Sequence, residues 1–552
     1  MIIPNTILEL KAGDADTVYA SLMKVLNDFD VPLDRIIGIC SDGAHTMQGR
    51  IKGVCTQLAN SIRDMRVAKI AHIRARAMHG RPIDSFHEGR GIFVVHCVCH
   101  RLALVLTDAI KGTKNYEKVI PEDVVALLNM LYNYFARSPA RKQAMREYIA
   151  SENRVNQQNQ QRVQAERMRA PPAIVAANPV VELERVLGLL EERHKLPRKV
   201  VLTRWLSCAE AVRVVLNCRD LYYHFFFNEN NANATDIVEL LEDSAVIAWY
   251  ACLQDVLPVL TGMNVLFQSS LPLPHLLYPR ISSAKATLIN MVGTGATRVE
   301  LIPLASVDKN TSFGAFANKF MRDIRGDVAI TGTRLLDQEV LELKQGWHKL
   351  YSHCLEQIDG RFPPENMKYF KLMQILDPAL VHGPLKRDKI GTDDLTVVVQ
   401  TLLHIFEIPL HGSGLALPEE ITNSFTVFRT SDVCADLWKE TTKGYAGREK
   451  PFEHGLIYPY YRMLMHMPAL KPYALFALFL LVFPTGNAIS ERGFSAMGAI
   501  HTKQRSEMSH AQVLAHLILG FNGPSVPEFA ALLNVESRQP HWDLYIPPCN
   551  FN

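Results

Sequence analysis

Along the first 110 residues the apolar positions switch between two periods. Val18, Leu22, Val25, Leu26 and Phe29 recur at helical spacing behind Asp14, which can cap the helix they predict, and the Asp30-Val31-Pro32 turn ends it. Arg35 to Cys40 is a short apolar run, read as a buried strand that stops at Ser41-Asp42-Gly43. Ile51, Val54, Cys55, Leu58 and Ile62 mark one face of a second helix, and Gly91 to His96 a second buried strand. Leu102, Val105, Leu106 and Ile110 mark the helix after it. The alternation predicts parallel strands joined by crossover helices, an α/β pattern.

The strand signal fades from about residue 235 to 465. Leu336, Val340, Leu343, Trp347, Leu350, Cys354, Leu355 and Ile358 describe a long amphipathic helix, and Leu395, Val398, Val399, Leu402 and Phe406 another. Ala474–Phe483 is apolar all round and reads as a buried helix; Pro484 to Asn487 breaks it, and helices through Glu491–Met497 and Val513–Phe521 follow. Two stretches interrupt this pattern as insertions would. One is basic, Arg63 to Arg90; the other, 137–170, has eight Arg and Lys against three Glu around a run of Asn and Gln, and reads as a loop or solvated helix.

Composition narrows the function classes. With 48% hydrophobic and 21% charged residues the chain folds for the most part, and a net charge of +3 leaves no global electrostatic case for nucleic acid or membrane binding. Ten dispersed cysteines in 552 residues do not make a disulfide scaffold and fit a reducing compartment. No secretory signal or membrane span is expected: the start lacks a basic region followed by an apolar core, and Ala474–Phe483 is about half a span.

Three clusters carry candidate chemistry. Asp42 follows a buried parallel strand, where polar groups face the ligand crevice of open α/β sheets; the same position suits a turn or helix cap. His96-Cys97-Val98-Cys99-His100 gathers soft ligands, but no second pair follows at zinc-finger spacing, so buried thiols behind a strand are the favoured reading and no structural zinc is expected. Ile489 to Met497 places Glu491 at a helix start, where the dipole favours it.

In order along the chain, Ser41–Gly53 (SDGAHTMQGRIKG), His96–Leu104 (HCVCHRLAL), Thr203–Ser207 (TRWLS), Arg361–Pro364 with Ile375–Pro378 (RFPP, ILDP) and Ser490–Ser509 (SERGFSAMGAIHTKQRSEMS) resemble hAT-type DNA transposases and genes domesticated from them. The resemblance covers most of the chain, and the Ser-Glu-Arg-Gly-Phe-Ser core is its most specific part. It implies an RNase H-like core split by a helical insertion: a partial core over 1–215 with insertions at 63–90 and 137–172, an all-helical domain over 216–465, and C-terminal helices over 466–552 that complete the core and carry dimerisation. It implies that Asp42 and Glu491 match two of three carboxylates that hold divalent metals, and that Cys97 and His100 match the supporting C-x-x-H motif. Trp205, after Arg204, matches an aromatic that stacks on a flipped base; its alternative is a core tryptophan. Hard Mg²⁺ or Mn²⁺ takes oxygen ligands, and two ions about 4 Å apart stabilise both attacking and leaving oxygens.

The pattern departs from the family at three places. Only 41 residues precede Asp42, so the strand bearing the first carboxylate is expected to be missing; Asp14 and Asp16 fall on a helix instead. No C-x-x-C with a downstream His pair occurs, so the family's N-terminal zinc finger is not expected, and His45 and Thr46 replace the Pro and Asn common in relatives. The expectation is a catalytically incomplete, nuclear, transposase-derived protein that forms a homodimer or homo-oligomer. Phe494, Val513, Leu514, Leu517, Ile518 and Phe521 supply the dimerisation surface, and DNA is a further partner. The competing expectations are an active metal nuclease represented by a truncated gene model, and a non-specific DNA-binding module using the basic stretches.

Overall fold

The structure, a computed structural model, describes residues 13–33, 36, 38–49, 51–76, 93–112, 117–136, 138–152, 154, 205–229, 231–269, 271–293, 298–326, 335–382, 395–405, 417–443 and 456–486. In chain order its first elements are α1 (Ala15–Asp28), β1 (Gly38–Ser41), α2 (His45–Gln48), α3 (Val54–Arg76), β2 (Phe93–His96), α4 (Val98–Lys111) and α5 (Glu122–Ala136). A helix over 139–152 follows as α6. Then come α7 (Trp205–Phe227), α8 (Ala232–Glu242), α9 (Ser244–Phe267), α10 (Pro274–Asn290), α11 (Ala315–Gly326), α12 (Asp337–Arg361) and α13 (Pro364–Leu372). The last are α14 (Leu395–Ile405), α15 (Pro418–Thr430), α16 (Asp432–Thr442), α17 (Ile457–Leu464) and α18 (Lys471–Leu481). The described residues are mostly helical, and their two strands pair in parallel.

Packing divides the chain into two units. One comprises Met1–Cys97, Gln268–Pro274 and Ile375–Asn552, the other Val98–Phe267 and His275–Gln374.

In the first unit α1 lies on α3 through Leu26, Leu58 and Ile62, with Tyr19 and Leu22 beside them. Asp14 caps α1, accepting the Thr17 N–H at 2.9 Å and the Thr17 hydroxyl at 2.7 Å. At the other end Asp30 takes a left-handed φ of 49°, so that the Val31 N–H reaches the Leu26 carbonyl at 2.8 Å and the Asp30 N–H reaches Asn27 at 3.0 Å. That is the Schellman closure, and it satisfies carbonyls the helix end would leave open. Ile51 does not join the apolar face expected of it. The Gly53 N–H bonds to the Gly49 carbonyl at 2.9 Å in a tight turn, α3 starts only at Val54, and Ile51 is left 83% exposed, whereas Val54, Cys55, Leu58 and Ile62 are buried. The basic stretch from Arg63 begins inside α3, which continues through Arg76.

The same unit holds a second, aromatic core. Phe425, Phe428, Tyr460, Tyr461, Tyr473 and Phe476 are fully buried. Each tyrosine finds an acceptor for its hydroxyl: Tyr461 bonds the Leu376 carbonyl at 2.9 Å, Tyr473 the Ile375 carbonyl at 3.3 Å, and Tyr460 the Cys434 carbonyl at 3.0 Å. Large rings are thereby buried without stranding their polar ends, and the Ile375–Pro378 segment is held by α17 and α18. Ala474, Phe476, Ala477, Leu480 and Leu481 of α18 are buried, as the unbroken apolar run predicts.

In the second unit α9 is the axis, packed by α4, α5, α7, α11 and α12. It is the one described helix long and apolar enough to cross a membrane, longer than the run at Ala474–Phe483, and 72% of its apolar window is buried against its neighbours. The polar stretch from 137 begins as an anchored helix: Met145 and Ile149 of α6 are buried, and Arg141 and Arg146 are exposed.

Candidate functional site

The parallel register sets Ser41 opposite His96, and the Cys97 N–H extends the ladder to the Ser41 carbonyl at 2.8 Å. Asp42 and Cys97, each the residue after its strand, therefore stand at the same C-terminal sheet edge. The structure thus joins the Ser-Asp-Gly block and the start of the His-Cys-Val-Cys-His block.

Ser41 is the hub of this edge. Its hydroxyl donates to the Asp42 carbonyl at 3.0 Å, accepts the Gln48 side-chain amide at 2.7 Å and lies 3.5 Å from the Cys55 sulfur. Asp42 is half-buried, and its Oδ1 accepts the Ala44 N–H at 3.2 Å, an Asx turn leading into α2. Gly43 is required by close approach: a Cβ there would lie 2.5 Å from His96 Cε1. Burial pushes the Cys55 thiol up from its ordinary value; the Ser41 hydrogen bond opposes this and the Asp42 charge adds to it. Cys55 is thus a packing thiol and not a nucleophile at neutral pH.

The remaining candidates separate into those with a place and those without. Cys97 is fully buried, and His100 sits half-buried on the first turn of α4. Cys99 packs in the second unit, its sulfur 3.6 Å from the Asn264 carbonyl while the Asn264 amide donates to the Cys99 carbonyl at 3.2 Å. The thiols of this motif face protein interior. Among the described residues no group of three or more His, Cys, Asp or Glu is placed to hold a metal. Trp205 opens α7. Arg204, Glu491, Phe494, Val513, Leu514, Leu517, Ile518 and Phe521 lie outside the described residues.

Sequence reasoning passed over a second hub. Within the second unit the Arg361 guanidinium pairs with the Asp108 carboxylate, and its Nε donates to the Gln357 side-chain Oε1 at 3.0 Å. Arg101 donates to the Arg361 backbone carbonyl and lies over the Phe362 ring at 5.6 Å. The HCVCHRLAL and RFPP segments are thus two sides of one clamp between α4 and α12. The signal was available: an arginine stood inside each segment, and an Asp followed in the apolar stripe of α4.

Chemically, the strand-edge site offers one half-exposed carboxylate where parallel sheets present polar groups to ligands. Alone it supplies one anchoring oxygen group for a hard cation, fewer than such ions take. Compared with known protein families and with curated proteins, the chain matches none.

Proposed function

We propose that this chain is a transposase-derived, hAT-like protein that retains self-association and not strand cleavage. In this reading β1 and β2 belong to an RNase H-like core, a helical insertion interrupts it, and the block from Ser490 supplies both Glu491 and, through Phe494 and the Val513–Phe521 face, the surface on which two copies meet. The observation that supports the reading is the parallel register of Ser41 with His96, which brings two of the resembling blocks together at the C-terminal ends of paired strands. The succession of helices from α7 to α18 before the last block supports it as well.

Asp42 and Glu491 are the remnant carboxylates, and Mg²⁺ or Mn²⁺ is the cation they would take, weakly. Asp14 is engaged in capping α1, and Asp16 Oδ1 accepts the Gln57 amide at 2.8 Å, so neither is offered as a third ligand. Arg204 and Trp205 are the proposed DNA contacts, and the nucleus the proposed compartment.

Light scattering after size exclusion on the full chain tests this reading. The wild type is expected to run as a dimer or higher oligomer and Leu514→Asp/Leu517→Asp as a monomer; a monomer in both contradicts it. Mg²⁺-dependent cleavage of hairpin DNA that Glu491→Gln abolishes would instead make the chain an active nuclease.

A further inference from the structure

The second unit contains a cleft of about 1000 Å³ where the 117–121 loop, the end of α8 and the starts of α9 and α12 converge. Its charge is one-sided. Six carboxylates line it, from Glu117, Glu239, Glu242, Asp243, Glu339 and Glu342, against the two lysines Lys118 and Lys349. Lys118 is committed to Glu122 at 2.5 Å. The chain as a whole is weakly cationic at +3, so this is a local concentration of negative charge.

Helix capping accounts for part of it. Asp243 accepts the Ala245 N–H at 2.7 Å at the start of α9, and Glu339 accepts the Leu336 N–H at 2.6 Å at the start of α12. Glu239 and Glu242 have no such role. They occupy the last turn of α8, which carries no basic residue, and there the helix dipole disfavours negative charge. Glu242 accepts the Tyr223 hydroxyl at 2.8 Å, a neutral donor that leaves its charge in place. The buried Arg219 guanidinium, which donates to the Leu241 carbonyl at 2.7 Å, faces the Glu242 charge and gives that carboxylate a part in the fold; Glu239 has no such contact among the described residues.

The walls are apolar between these charges. Trp249 is 6% exposed, and Gly346 lets its ring lie against α12, since a Cβ there would stand 2.9 Å from Trp249 Cζ2. Leu336 at the lip is 68% exposed, an apolar side chain at a helix start where a polar cap is usual. A bare cation does not need apolar walls or this volume, which is at the upper end of pockets that enclose organic ligands.

From this complementarity we infer that the cleft is a docking groove for a basic peptide segment in which Lys or Arg side chains alternate with apolar ones. The cationic groups meet the Glu239, Glu242 and Glu342 carboxylates, and the apolar residues cover Leu336 and the Trp249 edge. The inference is independent of the transposase reading.

Fluorescence anisotropy with the full chain tests it, using a fluorescein-labelled peptide of alternating Arg and Leu as probe. Saturable binding that weakens steeply with salt is expected, and Glu239→Gln/Glu342→Gln, two exposed positions, should weaken it about tenfold. Leu336→Ser should weaken it with little change in salt dependence. An Arg-Gly peptide that binds as well as Arg-Leu, or equal affinity in wild type and the double glutamine variant with both folded by circular dichroism, overturns the inference. So does a wild-type oligomer that the double glutamine variant dissolves, since the occupant would then be a second copy of this chain.

Discussion

Asp108 and Arg361 stand 253 positions apart and form an ion pair that ties α4 to the last turn of α12, with side chains only 12% and 20% exposed. The pair is the centre of a clamp in which Arg101 also holds the Arg361 backbone. Removing one partner leaves the other charge poorly solvated. Asp108→Asn and Arg361→Gln are each expected to cost about 2–3 kcal/mol in urea unfolding. The double variant should cost clearly less than the two singles together; strict additivity in the double-mutant cycle would show that the two groups do not work as a pair.

His353, on the same helix, gives this clamp a pH dependence. Burial pushes its imidazole below the ordinary 6.5, while its hydrogen bond to the Val105 carbonyl at 3.2 Å and the Asp108 charge pull the other way. The folded protein therefore holds His353 neutral more firmly than the unfolded chain does. Its contribution to stability is complete above 6.5 and is lost as pH falls from that value through the lower folded one. Urea midpoints measured down this interval should fall, and His353→Gln should flatten the fall; an identical slope in the variant would remove His353 as its cause.

At the strand edge the expected effects are local. Ser41→Ala removes the acceptor of the half-buried Gln48 amide and should cost about 1 kcal/mol. Gly43→Ala drives a methyl group into the His96 ring and should cost about 1–3 kcal/mol. A Gly43→Ala protein of unchanged midpoint would mean that the ring moves aside freely.

How far the sequence carried depended on how local each interaction was. The α1 cap at Asp14, its end at Asp30, the two strands and the burial of α18 all follow from periodicity and turn chemistry within a few residues. Ile51 misled because its spacing continues the α3 stripe while the Gly49–Gly53 turn delays the helix by three residues. The described start of the 137–170 stretch is a helix in which only Met145 and Ile149 are buried, the solvated helix that its polar composition suggests. Ser41 was hidden as a hub since its partners Gln48 and Cys55 converge only when α2 and α3 fold back on β1. The Arg361–Asp108 clamp spans half the chain, and no local period reports such a pairing. The cleft beside Trp249 was invisible for the same reason, its carboxylates coming from separate elements.

The proposed function requires Asp42, at the end of β1, and Glu491 to come together in one site. Pulsed electron resonance between spin labels on Asp42→Cys and Glu491→Cys, in the full chain with Cys40 and Cys549 changed to serine, measures it directly. Carboxylates that share metal ions about 4 Å apart place their labels at the short limit of the method. A single distribution there is predicted; a separation comparable with the width of the molecule would show that Asp42 and Glu491 share no site.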